Sequence, residues 1–303
     1  MKKSSARVFR ITLPATSANL GPAFDAAALA LDLHISIEAR PAEEFSIRAS
    51  GRDRQICETI PNNLILETYR EVLAQNARTT IPLALRIKNE IPIGKGCGSS
   101  AAARLSGIAM AVHFGKLRWS DAQVVGEASR REHHPDNASA CWFGGLAVAR
   151  MKSESEAEVA CIRPKGKWPL LLAIPDEPLS TESARRVLPG EYSRADAVTN
   201  IQNAMLLLAA FMQGRKDFLS SAVEDRIHQP YRASLCPLLP ALEELKGKGD
   251  LLGVALSGAG PSVLVFLDPK QSVASAKALC ARHLAQRGLK AEILITKIGY
   301  RSR

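Results

Sequence analysis

Aromatic residues are scarce in this chain of 303, at 5% of the total. A surface that grips single-stranded nucleic acid interleaves basic residues with stacking rings. The shortage argues against that partner, although the formal net charge is +10. Lys and Arg are spread along the chain, and the basic end (Lys290, Lys297, Arg301, Arg303) is thin and reads as a solvated tail. The charge therefore leans toward an enzyme handling small anions. Long apolar runs are missing too. A bilayer span needs about 20 apolar residues, and stretches such as 201–212 fall short; residues 205–212 read as core. No apolar leader follows Met1, Lys2, Lys3, Ser4 and Ser5, which places the protein in the cytoplasm. The six cysteines (Cys57, Cys97, Cys141, Cys161, Cys236, Cys280) are dispersed without a Cys-x-x-Cys pair. That spacing argues against a disulfide framework and a zinc site.

What is present is ordinary globular material. With 46% hydrophobic and 23% charged residues, the chain can bury one large or two medium cores. Alternating β-branched and polar residues predict a strand over 7–13, with further strands over 29–39, 45–49 and 81–87. Apolar residues at helical spacing (Leu64, Ile65, Tyr69, Val72, Leu73) predict a helix over 62–77, capped by Asn62 or Asn63. A helix of small residues spans 99–114, and Ser120 caps another. Strand signals resume at 145–150, an exposed hairpin follows near 152–158, and 170–174 is a buried strand. Helical sequence dominates 181–222. Strand 252–256, a Gly-rich turn, strand 263–267, helix 272–286 and strand 290–296 close the chain as a compact α+β unit. The fold class is α+β in two domains, 1–167 and 168–303, divided near Trp168. No internal repeat or low-complexity segment interrupts them.

Three small-residue segments carry the chemistry. The first is Pro92–Ile93–Gly94–Lys95–Gly96–Cys97–Gly98–Ser99–Ser100–Ala101–Ala102. Glycines at alternate positions let backbone amides approach an anion. Ser99 and Ser100 then open a helix whose free N–H groups and dipole favour phosphate oxygens. This is neither a Walker A loop nor a Rossmann fingerprint, and a plain Gly-Ser turn is the bland alternative. The second segment, Pro14–Ala15–Thr16–Ser17–Ala18–Asn19–Leu20–Gly21–Pro22–Ala23–Phe24–Asp25, reads as a constrained loop after a strand, offering Asn19 and Asp25 to a ligand. An Asx turn is its alternative. The third, Ser257–Gly258–Ala259–Gly260–Pro261–Ser262, reads as a tight turn between strands.

In order and spacing, these segments resemble the signature loops of the GHMP small-molecule kinases, and the chain is most similar to the branch that phosphorylates homoserine. Further resemblance lies in Glu132–His133–His134–Pro135–Asp136–Asn137 with Gly144–Gly145, in Ser180–Thr181–Glu182–Ser183–Ala184–Arg185 with Leu188–Pro189, and in Pro230–Tyr231–Arg232. It covers nearly the whole chain. The resemblance implies an N-terminal domain like ribosomal protein S5 domain 2 and a C-terminal ferredoxin-like domain. It implies transfer of the ATP γ-phosphoryl group to the side-chain hydroxyl of L-homoserine, in threonine biosynthesis. By position, Pro92, Ile93, Gly94, Lys95, Gly96, Cys97, Gly98, Ser99, Ser100, Ala101 and Ala102 would cradle ATP and Asn63 would contact the adenine. Ser100 and Glu132 would hold Mg²⁺. Asn19, Asp25, His134, Asn137, Thr181, Arg185 and Arg232 would bind the amino acid.

Those residue types suit a zwitterion, with arginine forks for its carboxylate and Asp25, Asn19 and Asn137 as acceptors for its ammonium and hydroxyl. Asp25, Asn137 and Lys95 are the candidate catalytic residues. Asn137 stands where other GHMP kinases often carry an Asp base, so the substrate proton would leave to the phosphate or through Asp25. Lys95 adds positive field or is solvated. Three positions depart from the family. Cys97 replaces a usual Leu, which a small hydrophobe can fill. Ala23 replaces Gly and is strained if its φ is positive. His133 replaces Gly and adds bulk beside His134. The alternatives are a GHMP kinase for another small alcohol (mevalonate, shikimate or a sugar) and a non-catalytic ligand-binding relative. Neither nucleic acid nor membrane is an expected partner; a homodimer is compatible with the reading.

Overall fold

The computed structural model describes residues 8–248, 251–270 and 272–300. Met1 to Ser5 and Arg7 lie outside them, as do Arg301 and Arg303. In chain order the elements are β1 (Phe9–Asn19), β2 (Ala23–Pro41), β3 (Ser46–Gly51), α1 (Arg54–Glu58), α2 (Leu64–Gln75), β4 (Leu83–Asn89), α3 (Ser99–Phe114), α4 (Asp121–Glu132) and α5 (Asp136–Phe143). Next come β5 (Leu146–Met151), β6 (Ala157–Ile162), β7 (Pro169–Ile174), α6 (Thr181–Arg186), α7 (Arg194–Gln213), α8 (Leu219–Ala222), α9 (Gln229–Arg232) and α10 (Leu238–Glu243). β8 (Leu251–Leu256), β9 (Val263–Leu267), α11 (Val273–Gln286) and β10 (Glu292–Lys297) complete the described chain.

Two sheets result. The first runs β3-β4-β2-β5-β6, with β1 also on β2; the second runs β10-β7-β9-β8. β3 and β4 are parallel and the other pairs antiparallel. Long β2 organises the first sheet, pairing β1 along its length, β4 through Ile35–Pro41 and β5 through Ala27–Leu29. One apolar core runs beneath both halves, joining Leu13, Leu29 and Leu105 to Leu172, Phe211 and Phe266.

The residues expected as a loop after the first strand are largely strand. β1 continues through Thr16, which pairs with Ala30, and Ser17, which pairs with Leu29. Only Leu20, Gly21 and Pro22 turn. Small hydroxyl residues are tolerated there because β2 satisfies their backbone. α5 fills a span to which the sequence pattern assigns no element; it is short and buried at Ala138, Ser139, Ala140 and Cys141, so no amphipathic period marks it. The expectation that residues 205–212 are core needs correcting. Leu207, Ala210 and Phe211 are buried, but Met205 is 65% and Met212 55% exposed.

Ala23 is not left-handed, so the missing glycine does no harm there. His133 does occupy the left-handed region at φ 67, as the C-terminal cap of α4. Glycine is the residue that takes this conformation without a Cβ penalty. His133→Gly should therefore stabilise the fold by about 0.5–1 kcal/mol, the left-handed penalty less glycine's entropy cost. A rise in Tm of a few degrees, measured by calorimetry, is the expected outcome.

Candidate active site

The loop between β4 and α3 is built from alternating conformations. Gly94, Gly96 and Gly98 are left-handed (φ 71, 72 and 71), whereas Lys95 and Cys97 between them are not. Such alternation turns successive amides inward as an anion-binding nest. Close approach enforces two of the glycines. A Cβ on Gly96 would lie 2.3 Å from the Ser257 carbonyl oxygen, and one on Gly98 would lie 1.9 Å from Thr16 Oγ1. Gly98 is also the N-cap of α3 and offers no capping side chain, which leaves the helix's leading amides for an incoming anion. Ser99 Oγ accepts from the Gly94 amide at 3.4 Å. Cys97 is fully buried, with its thiol pushed up to about 12 by burial. It is a filler here, not a nucleophile.

Two cavities meet at this nest and share Gly94, Ser99 and Ser100. The larger, of about 340 Å³, is walled by Ile35, Ile56, Cys57, Asn62, Asn63, Ile65, Ile91, Ile93, Ala102 and Ala103. Its apolar walls suit a flat heterocycle. Asn63 lies in the wall, but its amide is committed to the fold. Its Oδ1 caps α2 by accepting from Leu66 N at 3.4 Å, and its Nδ2 donates to the Thr59 carbonyl at 3.0 Å. The sequence signal for Asn63 is thus explained by capping.

The smaller cavity, about 120 Å³, collects Asn19, Asp25, Glu132, His134, Asn137, Thr181, Arg185 and Arg232 beside Gly96, Cys97 and Gly98. All seven expected acceptor-site residues therefore converge. Arg185 Nη2 donates to both oxygens of Asp25 at 2.8 and 3.0 Å. Arg232 is 1% exposed, with Nε on the Ala184 carbonyl at 2.9 Å. Burial, and then the neighbouring Arg185 charge, lower its pKa. Asn19 acts mainly as a brace: Oδ1 accepts from Asp25 N at 2.9 Å and Nδ2 donates to the Gly258 carbonyl at 2.9 Å. Ser100 Oγ donates to Glu132 Oε1 at 2.6 Å, and Arg104 Nε reaches the same oxygen at 2.6 Å.

Pro92, Lys95 and Ala101 line neither cavity. Lys95, expected among the catalytic groups, turns its ammonium to the Asp176 carbonyl in the other half of the chain. Sequence reasoning also left groups out. Thr16 Oγ1 donates to Asn137 Oδ1 at 2.6 Å and so fixes the amide. Asp136 is 1% exposed and accepts from Asn137 N at 2.6 Å while lying 2.5 Å from His134 Nδ1. Phe24 lies under both arginines, 5.5 Å from Arg185 and 5.3 Å from Arg232. An acid two residues from a His was the sequence signal for the Asp136 pairing.

A uncapped helix start behind a glycine nest, facing a cleft of paired acids and arginines, defines a phosphotransferase of the GHMP type. The chain matches the GHMP kinases N terminal domain over residues 63–145 and the GHMP kinases C terminal domain over residues 203–285, and it belongs to that family. Within it, the chain is 43% identical to the homoserine kinase of Solibacter usitatus over 86% of this chain and 85% of that one. It is 35% identical to the homoserine kinase of Deinococcus radiodurans over 96% and 94%. The crystal structure of homoserine kinase from Cytophaga hutchinsonii superposes with a TM-score of 0.81 at 18% identity, covering 100% of this chain and 98% of that one, a likeness of fold.

Gly98→Ala places a methyl group against Thr16 Oγ1 on a left-handed backbone. It should lower kcat/KM at least about tenfold by disturbing the nest and the Thr16–Asn137 bond together; steady-state kinetics with varied ATP read this. His134 yields a pH prediction. Burial opposes its charged form, but Asp136, and then Asp25 and Glu132, outweigh burial and raise its pKa. The pair's stabilisation is therefore fully present below the unfolded value near 6.5 and is lost as pH rises through the higher folded value. Wild-type Tm should fall relative to His134→Asn across that window, as thermal melts at stepped pH would show.

Proposed function

We infer that the protein transfers the γ-phosphoryl group of ATP to the side-chain hydroxyl of L-homoserine, giving O-phospho-L-homoserine on the way to threonine. The observation that carries this reading is the Asp25–Arg185 ion pair across the cleft mouth, with Arg232 buried behind it. A zwitterion brings one group for each partner. Its ammonium meets Asp25 and its carboxylate meets the two guanidinium forks, so one internal ion pair is exchanged for two with substrate. His134, Asn137 and Thr181 close around the same small volume, which suits a short side chain ending in a hydroxyl. The homoserine kinases among its relatives support the same substrate.

Phosphoryl transfer passes through a loose transition state, so positioning and neutralisation of charge do most of the work. The nest of Gly94, Gly96 and Gly98 and the leading amides of α3 receive the phosphates; the adjoining apolar cavity takes the adenine. Ser100 and Glu132 fit a divalent cation: they are hard oxygen donors 2.6 Å apart at the phosphate end, and Mg²⁺ favours one or two carboxylates completed by phosphate and water. Bound there, Mg²⁺ would neutralise charge on the phosphates. Asn137 cannot take a proton, and its amide is held between Thr16 and Asp136. Its role is to orient the acceptor hydroxyl, whose proton leaves to the phosphate or through Asp25. A homodimer belongs to the same proposal: Val198, Ile201, Met205 and Met212 form an exposed apolar row on α7 with the 3-4 spacing of a helix seam. Light scattering tests it.

A coupled ADP-release assay with Mg-ATP against homoserine, threonine, serine and mevalonate tests the substrate. Homoserine should give the highest kcat/KM; a preference for mevalonate, which lacks an ammonium, would overturn the reading. Asp25→Asn should lower kcat/KM for homoserine at least about 30-fold, corresponding to about 2 kcal/mol for a lost charge partner. An unchanged value would remove Asp25 from both the binding and the proton-transfer role.

A further inference from the structure

A fully buried histidine that the transfer chemistry does not use lies behind Arg232. His228 is 0% exposed and sits at the N-terminus of α9. Asp225 pins the backbone that carries it, accepting from the amides of Ile227 at 2.9 Å, His228 at 2.8 Å and Gln229 at 2.5 Å. The ring then bridges the two halves of the chain. Nε2 lies 2.8 Å from the Gly21 carbonyl oxygen in the β1–β2 turn, and Nδ1 lies 3.2 Å from Arg232 Nη1. Phe24 stacks on its face, with centroids 5.2 Å apart and planes at 25°.

Donor chemistry fixes the state of this ring. A carbonyl only accepts and a guanidinium only donates. Nε2 must therefore carry the proton, and Nδ1 must accept from Arg232. A doubly protonated ring would set two donors against each other. Burial, reinforced by the Arg232 charge and opposed by Asp225, pushes the imidazole down to about 4, in keeping with the neutral form. For Arg232, Ala184 takes Nε and His228 takes Nη1. Nη2 makes no hydrogen bond among the described residues, and the side chain lines the cleft.

We propose that His228 is a positioning residue for acceptor binding: as the neutral Nε2–H tautomer, tied to Gly21, it holds the Arg232 guanidinium in one rotation with Nη2 presented to the substrate carboxylate. This rests on the amino-acid reading of the cleft. His228 also registers the turn that leads into Asp25 on β2 against the helix bearing Arg232, so both ends of a zwitterion are placed through one ring. Toward the nest, the direct side-chain link is long: the Gly258 carbonyl accepts from Arg232 Nη1 at 3.5 Å. Nucleotide binding should therefore be insensitive to His228.

Two variants and one spectrum test this. His228→Phe keeps the ring stacking and most of the volume but loses both hydrogen bonds. It should raise KM for homoserine at least about tenfold while KM for ATP stays within twofold. His228→Gln can donate to Gly21 and accept from Arg232, and should restore KM for homoserine to within about threefold of wild type. A purely structural role would lower Tm without separating the two KM values. An unchanged homoserine KM in His228→Phe overturns the proposal. Nitrogen-15 NMR of the wild-type imidazoles should show His228 as Nε2–H from pH 6 to 8; an Nδ1–H tautomer or an imidazolium there overturns it even if neither variant folds. Wild-type turnover of a different alcohol alone would sink the substrate reading, and the tautomer would still decide what His228 does.

Discussion

The turn from Ser257 to Ser262 holds both working loops at once, and the geometry of the site depends on that grip. Ser257 Oγ donates to the Gly96 carbonyl at 2.7 Å and Ser262 N to the Lys95 carbonyl at 3.4 Å. On its other side, Gly258 N donates to the Ala18 carbonyl at 3.1 Å, and the Gly258 carbonyl accepts from Asn19 Nδ2 at 2.9 Å. A hairpin of the second sheet thus spans the phosphate nest and the acceptor turn of the first. Gly96 must be glycine for the contact to exist at all, since a Cβ would strike the Ser257 carbonyl. In a reaction accelerated chiefly by alignment, the proposed function would have this hairpin set the distance between nucleotide and acceptor.

Apart from Arg232, whose hydrogen bonds go to carbonyls and a neutral imidazole, the main charges in the cleft already have partners. Asp25 pairs with Arg185, His134 with Asp136, and Glu132 with Arg104. Removing charges from water without such compensation is costly, so a ligand gains only the difference between its own contacts and those it displaces. That arithmetic favours a zwitterion over a simple carboxylic acid. An acid without an ammonium must compete with Asp25 for Arg185 and gives Asp25 nothing in return. Selectivity then follows from the pairing of charges within the cleft as much as from its shape.

Strong local patterns were legible in the sequence: α3 spans the predicted 99–114, β9 the predicted 263–267, and Ser120 caps α4 through a capping box. The phosphate nest was legible for the same reason, because close backbone approach leaves glycine as the only tolerable residue. Elements without a period were not. α1, α9 and α10 are single short turns, and α5 is buried on most faces. Partner identities were hidden more deeply. Nothing local shows that Lys95 reaches Asp176 or that Thr16 reaches Asn137; those bonds depend on how the halves dock. Apolar content likewise marked α7 as buried, although only part of its circumference packs.

The β1–β2 turn shows how that docking reaches the chemistry. Asn19, Leu20, Gly21 and Asp25 are all left-handed, at φ 70, 49, 89 and 53. Asn19 and Asp25 are residue types that tolerate this region, but Leu20 is not one, and such strain persists only where surrounding contacts over-determine it. Here the restraints are visible: Asn19 braces Asp25 N, His228 takes the Gly21 carbonyl, and Asn200 Nδ2 donates to the Pro22 carbonyl at 2.7 Å. Gly21 itself admits no Cβ, because the Val223 carbonyl oxygen would lie 2.2 Å away. Most of these contacts come from the second half of the chain. The strained backbone turns Asp25 toward Arg185, so the half that supplies the arginines also bends the half that supplies their acidic counterpart. Acceptor recognition is thus a property of the interface between the halves rather than of either half alone.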